Sequence, residues 1–141
     1  MAYHLTFFCR SDEENGRAAI SRLLDELLPD GDLLMTERSG PFVDEVAVCS
    51  LARRGLAGDP VADWLVLEVH VGVEWIAESV IAVSPDDEHG IWGCDLLATV
   101  TLSGKNPDWL LVNRMWTALA RLWSAIPWDE MSGFEIAKSV P

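Results

Sequence analysis

The sequence predicts an α+β fold, a two-layer sandwich in which a largely antiparallel sheet carries two helices on one face. Three observations support this prediction. Several short segments alternate apolar and polar side chains, two segments carry apolar stripes at helical spacing, and clusters of Gly, Pro and Asp separate them. The chain has 141 residues, a length that suits one core, so we expect a single acidic domain over 1–141.

The first strand and the first helix follow each other directly in the predicted order. Residues 3–9 are rich in aromatic and β-branched side chains and predict a strand. Ser11 then predicts the N-cap of a helix, with Glu14 completing a capping box. Pro-Asp-Gly-Asp at 29–32 predicts the end of this helix. Its apolar stripe consists of Ile20, Leu23, Leu24, Leu27 and Leu28.

The middle of the chain predicts further strands. Candidate strands at 33–37 and 42–51 are followed by a loop over 53–63. From Trp64 to Val71 the residues alternate, so that two faces are distinguished. One face carries Leu65, Leu67, Val69 and Val71, and the other carries Trp64, Val66, Glu68 and His70. Residues 73–83 fit either a returning strand or a helix, and both alternatives stay open.

The last third predicts one long strand, one helix and a short strand. Residues 92–102 alternate as a strand that places Leu96, Ala98 and Val100 on the buried face. Asn106 predicts the N-cap of the second helix, Pro107 its first residue and Pro127 its end after Ile126. A final strand is expected near 134–136.

The second helix carries tryptophan at every seventh position, and this stripe has two interpretations. It either packs on the sheet as core or forms a dimer interface, and the wide apolar surface of the helix leaves a homodimer open. Its residues are Trp109, Val112, Trp116, Leu119 and Trp123.

Charge and composition limit the classes of partner. Twenty-three acidic residues against ten Lys and Arg give a formal net charge of −13, which repels nucleic-acid backbones and anionic membranes. Direct nucleic-acid binding and membrane insertion are therefore not expected. Three cysteines without CxxC spacing indicate free thiols and a cytoplasmic protein. The preference for Arg over Lys is typical of a GC-rich bacterial genome.

No motif in the sequence identifies an enzyme. Phosphate-binding loops, nucleophile elbows and zinc signatures do not occur, so we expect no cofactor, no metal and no catalytic residue. A metal site at Glu88, His89 and Cys94, a Cys–His nucleophilic pair and an acid–base pair of Glu68 with His70 are weaker alternatives. An ordinary polar turn and an exposed sheet face explain these residues as well.

The strongest functional hypothesis rests on the acidic residues of the solvated sheet face and its rim. Such a cluster favours fast, salt-sensitive docking to a basic protein. We therefore expect a non-enzymatic binding module, of the kind represented by immunity proteins and inhibitors of nucleases or nucleic-acid-handling complexes. A small-molecule-binding domain or modest enzyme with a Trp-lined pocket and a structural homodimer are the alternatives. The expected partner-binding residues are Glu68, His70, Glu74, Glu78, Asp86, Asp87, Glu88 and Asp95.

Overall fold

The computed structural model defines the positions of nine elements and the segments next to them. The residues that it describes are 3–11, 16–27, 33–37, 46–55, 58–60, 62–72, 74–83, 91, 93–102 and 107–129. The elements in chain order are β1 (Tyr3–Cys9), α1 (Gly16–Leu27), β2 (Leu33–Glu37), β3 (Val46–Arg53), β4 (Leu65–Val71), α2 (Glu74–Val83), β5 (Leu96–Leu102), α3 (Trp109–Trp123) and β6 (Ile126–Trp128).

The described strands form one antiparallel sheet in the order β2-β3-β4-β5-β1-β6. Helices α1 and α3 pack together on one face, with α1 over β3 and β4 and α3 over β1. This arrangement confirms the predicted α+β sandwich with its antiparallel sheet and two helices on one face.

The main core lies between this helix pair and the sheet face beneath it, which we call the inner face. The alternation predicted for β4 and β5 is confirmed, because Leu65, Leu67 and Val69 are fully buried and Ala98 and Val100 lie beside them. Residues of both helices close the core from the other side, among them Leu23, Leu111, Val112, Met115 and Leu119. Continuous burial of aliphatic surface on this scale is the dominant stabilising contribution to a domain of this size.

Residues 73–83, for which strand and helix were both open, contain helix α2 over Glu74–Val83. The helix lies on the opposite, outer face of the sheet, where Ile76 and Val80 pack against Phe8 and Leu97 in a second, smaller cluster. Gly72 joins β4 to this helix with a φ of 64°, a left-handed backbone that costs a residue with a Cβ more than it costs glycine.

The predicted capping box of Ser11 and Glu14 stays a prediction, because residues 12–15, between Ser11 and the described helix α1 (Gly16–Leu27), lie outside the described residues. Ser11 donates its backbone N–H to the Asp95 carboxylate over 2.6 Å. The segment that leaves β1 is therefore fixed to the residue that precedes β5.

The predicted N-cap of the second helix is displaced by two residues. Asp108 caps α3 by accepting the N–H of Leu111, so Pro107 precedes the helix and is not its first residue; Asn106 lies outside the described residues. The second oxygen of the Asp108 carboxylate accepts from Arg53 Nε at 2.7 Å. This buried carboxylate therefore fixes the helix start to the end of β3.

Other boundaries shift by a few residues. Helix α3 ends at Trp123 because Ser124 adopts a left-handed conformation, and 126–128 forms β6, so the predicted helical end at Ile126 is wrong. Strand β3 (Val46–Arg53) extends two residues beyond the expected end at 51, and residues 42–45 of that prediction lie outside the described residues. Strand β5 begins at Leu96 where 92 was expected. The strand expected near 134–136 lies outside the described residues.

Candidate functional site

The outer face of the sheet divides into a covered end and an open end. At the covered end, α2 packs on Phe8 and Leu97. The open end is polar and begins two residues further along each strand, at the next outward-facing position, where Thr99 pairs with Glu68 on one side and with Thr6 on the other. We call this region the open outer face; it comprises His4, Thr6, Val48, Ser50, Val66, Glu68, Thr99 and Thr101.

The open outer face follows directly from the period of two in the strands. Leu67 and Val69 point to the inner core, so Val66, Glu68 and His70 must point outward. The neighbouring strand obeys the same rule with Thr99 and Thr101. The hydroxyls and the carboxylate of this face remain in contact with solvent because α2 covers the other end.

Glu68 and His70 form an ion pair, provided that the imidazole is protonated, with His70 Nε2 and Glu68 Oε1 2.9 Å apart. An ionised carboxylate only accepts hydrogen bonds, so Nε2 carries the proton in this contact. The Glu68 side chain is 44% exposed, whereas that of His70 is 14% exposed. The carboxylate is therefore the part of the pair that a partner can reach.

The same geometry disfavours acid–base catalysis by Glu68 and His70. The other ring nitrogen of His70, Nδ1, is buried, and Nε2 is engaged by Glu68. A general base must come within hydrogen-bond reach of its substrate, directly or through one water. Neither nitrogen offers that approach from the open outer face.

The other predicted partner-binding residues differ in how far solvent reaches them and in whether the structure describes them. Asp95 is half-buried and accepts from Ser11, and its backbone carbonyl accepts from Gly72, so it holds three segments together. Glu78 is exposed on α2. The side chain of Glu74 and all of Asp86, Asp87 and Glu88 lie outside the described part of the structure. The structure therefore brings Glu68 and His70 together and gives Asp95 a structural position.

The tryptophan stripe of α3 is mainly core. Val112, Leu119 and Trp123 are buried, and Trp116 packs against the core with its ring edge-on to Phe7 at a centroid distance of 5.8 Å. Trp109 is 38% exposed and contacts Tyr3. The stripe therefore stabilises the domain; Trp109 is its one exposed residue and Trp116 is partly buried.

The thiols are poor nucleophiles. Burial raises the pKa of Cys94 to about 11, and burial also raises the pKa of Cys9 above its ordinary value. The thiolate is the reactive form, and both sites suppress it at neutral pH. No three His, Cys, Asp or Glu side chains lie close enough to hold a metal ion among the described residues, which exclude Glu88 and His89.

One cavity of about 370 Å³ lies between α1 and α3, on the side away from the sheet. Its polar lining contains two arginines with structural contacts: Arg114 donates to the Leu27 carbonyl at the end of α1, and Arg121 pairs with Glu26 at 3.4 Å. Asn113, Thr117 and Ala118 complete the lining. No tryptophan belongs to it, so this cavity does not correspond to the Trp-lined pocket of the alternative hypothesis.

Sequence reasoning missed two buried carboxylates. Asp108 and Asp129 are each 3% exposed, and Asp129 accepts from the Tyr3 hydroxyl at 2.5 Å. The position of Asp108, just after Pro107 and before an apolar helix, was the available signal for a cap. Nothing in the local sequence pairs Asp129 with Tyr3, because the two residues are 126 positions apart.

Comparison of the chain with models of protein families, with curated proteins and with solved structures found no match. None of the helices in the described residues is long and apolar enough to span a membrane.

Proposed function

We propose that this protein is a non-enzymatic binding module that docks on a basic protein and neutralises it, in the manner of an immunity protein or nuclease inhibitor. The observation that carries the proposal is the open outer face, which presents the accessible Glu68 carboxylate on a chain of formal charge −13. Three free cysteines and the preference for arginine over lysine favour the cytoplasm of a bacterium as its location.

Electrostatics supports a basic partner in particular. A strongly acidic surface attracts a basic protein before contact, which speeds association. The attraction is screened over about 8 Å at physiological salt, so association slows as salt rises. A rigid sheet face suits this role, because its side chains are held in register by the strands on both sides and bind without prior ordering.

The open outer face, moreover, is a binding surface of modest polarity. Thr6, Thr99 and Thr101 on β1 and β5 offer hydroxyls that donate or accept hydrogen bonds. Val48 and Val66, on β3 and β4, contribute apolar area beside them. Interfaces of this kind combine a polar rim with contact area that excludes water. The Glu68 carboxylate supplies the charge that selects a basic side chain, and its removal leaves the rest of the surface intact.

The decisive experiment compares charge reversals on opposite layers of the domain. A partner is captured from the native host, identified and purified, and its binding to each variant is titrated by calorimetry at two salt concentrations. Glu68→Lys and Glu78→Lys place the change on the outer side, and Asp25→Lys places the same change on exposed α1. All three variants alter the net charge equally.

We expect Glu68→Lys to weaken binding by at least about tenfold, since a rim charge typically affects association and its salt dependence. Asp25→Lys is expected to bind nearly as the wild type does. Equal loss in all three variants would show that net charge alone matters and that the open outer face is not the docking surface. A partner that is acidic, or whose binding is insensitive to salt, would contradict the proposed function itself.

A further inference from the structure

The two edges of the sheet differ in their capacity to pair with another strand. Among the described strands, β6 forms one edge with only three residues, and its central Pro127 has no N–H to donate. The other edge is β2, five residues with the sequence Leu-Leu-Met-Thr-Glu. Natural edge strands are commonly protected by proline, by charged side chains or by a bulge. Strand β2 contains no proline and no lysine, and its one charged residue is Glu37 at its end.

Two neighbouring side chains in the second half of β2 are exposed. Met35 at its centre is 45% exposed, and Thr36 beside it is exposed as well. Met35 pairs with Leu51, which is fully buried, so it continues the inner face outward to the sheet edge. A large apolar side chain thus lies beside the outward-facing backbone groups of an edge strand.

We propose that β2 pairs antiparallel with β2 of a second copy, so that two sheets join into one twelve-stranded sheet around a two-fold axis at Met35. The twelve strands are the six described strands of each copy. In this register Met35 faces Met35 of the other copy, and Leu34 faces Thr36. A second copy is the occupant that fits, because the edge is uncharged from Leu33 to Thr36 and is complementary to itself in the antiparallel direction.

The asymmetry of the edges also determines the kind of assembly. Pairing of β2 with β6 of another copy would be head-to-tail and would build an open chain of molecules, but β6 is short and carries Pro127. Pairing of β2 with itself closes after two copies. The inference is independent of the proposed function, since it uses neither Glu68 nor the open outer face.

Charge gives this dimer a recognisable salt dependence. Each copy carries a formal charge of −13, so the two copies repel each other at low salt. Raising the salt concentration screens this repulsion and strengthens the dimer. Binding of a basic partner changes in the opposite direction, so the two associations are distinguished by salt alone.

The test uses analytical ultracentrifugation of the full chain, with substitutions at the two-fold axis and a matched control. Met35→Lys and Met35→Glu each place two like charges opposite one another, which is destabilising across antiparallel strands and should weaken association by more than about tenfold. Leu110→Lys makes a comparable change at a residue 54% exposed on α3. An equimolar mixture of Met35→Lys and Met35→Glu chains should dimerise again.

The inference is supported if the wild-type protein forms a dimer that strengthens with salt and each Met35 variant loses that dimer. The mixture of the two Met35 variants should dimerise again, and Leu110→Lys should dimerise as the wild type does. Concentration-dependent protection of the amides of β2 from hydrogen exchange should accompany dimerisation. A wild-type protein that stays monomeric at the highest concentration that remains in solution, at low and at high salt, would overturn the inference. Loss of the dimer in Leu110→Lys with retention in both Met35 variants would overturn it in favour of α3.

Discussion

The two faces of the sheet are made by the same strands but differ in what covers them. The inner face carries Leu65, Leu67 and Val69 under two packed helices, and these side chains are fully buried. The outer face is covered by α2 at one end only, and the other end presents Thr99 and the Glu68 carboxylate. One strand pattern thus supplies both the stability of the domain and an accessible polar surface.

The comparison shows where substitutions should affect folding and where they should affect recognition. Changes on the inner face remove contacts between the sheet and the two helices that cover it, so they lower the free energy of unfolding. Changes on the open outer face leave the core intact, because the side chains there pack mainly against their neighbours on adjacent strands.

The largest expected effect is on the inner face. Leu67→Ala removes a fully buried side chain from the central strand β4 and should lower the free energy of unfolding by about 2–5 kcal/mol. Thr99→Ala, on the open outer face of the adjacent strand, should change it by only about 0.5 kcal/mol. Urea denaturation followed by tryptophan fluorescence measures both. Similar losses in the two variants would contradict the division between the faces.

Loss of the buried contact between Asp108 and Arg53 should have the second largest effect on the free energy of unfolding. The Asp108 side chain is 1% exposed and both caps α3 and accepts from Arg53. Asp108→Ala removes both the helix cap and the carboxylate that pairs with the Arg53 guanidinium. We expect it to lower the free energy of unfolding by about 2–3 kcal/mol. Asp108→Asn retains a capping oxygen and should cost less. Equal stability of the two variants would show that the cap contributes little, and an Asp108→Asn variant as stable as the wild type would show that the charge pair contributes little.

The hydroxyl of Tyr3 should have a smaller effect. Tyr3→Phe keeps the ring against Trp109 but removes the hydrogen bond to buried Asp129, for an expected loss of about 1–2 kcal/mol in the free energy of unfolding. Thermal unfolding at neutral pH measures it. An unchanged melting temperature would mean that another donor replaces the hydroxyl.

The smallest effect is a dependence of stability on alkaline pH. The pKa of Cys94 is raised from 9.0 to about 11 by burial, so the folded state holds this proton longer than the unfolded chain does. The stabilisation is complete below about pH 9 and is lost as pH rises through about 11. Buried Cys9 and Tyr3, whose pKa values are also raised, act in the same direction.

The measurement is denaturation in reductant at several pH values. Cys94→Ser should show a shallower decline than the wild type over this range, because serine does not release a proton there. A decline of identical slope in both proteins would assign the effect to the other two groups.

Much of the fold could be predicted because the inner face is encoded locally. The alternation in β4 and β5 and the apolar stripes of both helices specify the buried side without knowledge of their partners. The start of α3 was less predictable. Asn106 and Asp108 both suit a cap, and Asp108 occupies the position, where its carboxylate also accepts a hydrogen bond from Arg53. The local sequence does not indicate this contact, because the two residues are 55 positions apart.

The candidate site could be predicted only in part for a similar reason. The period of two places Glu68 and His70 on one face, and that placement holds. The acidic cluster expected around them included Asp95, whose carboxylate is occupied by Ser11 from a distant segment. Helix α2 also covers one end of the face, which the ambiguous pattern of 73–83 could not indicate.

Recognition on the open outer face is tested most directly by mapping amide chemical shifts on the isotopically labelled protein. On addition of the purified basic partner, we expect shifts concentrated at Thr6, Val66, Glu68, Thr99 and Thr101, with little change along α1. Shifts concentrated instead along α1 and the groove that it forms with α3 would move the binding surface to the other side of the domain and contradict docking on the open outer face.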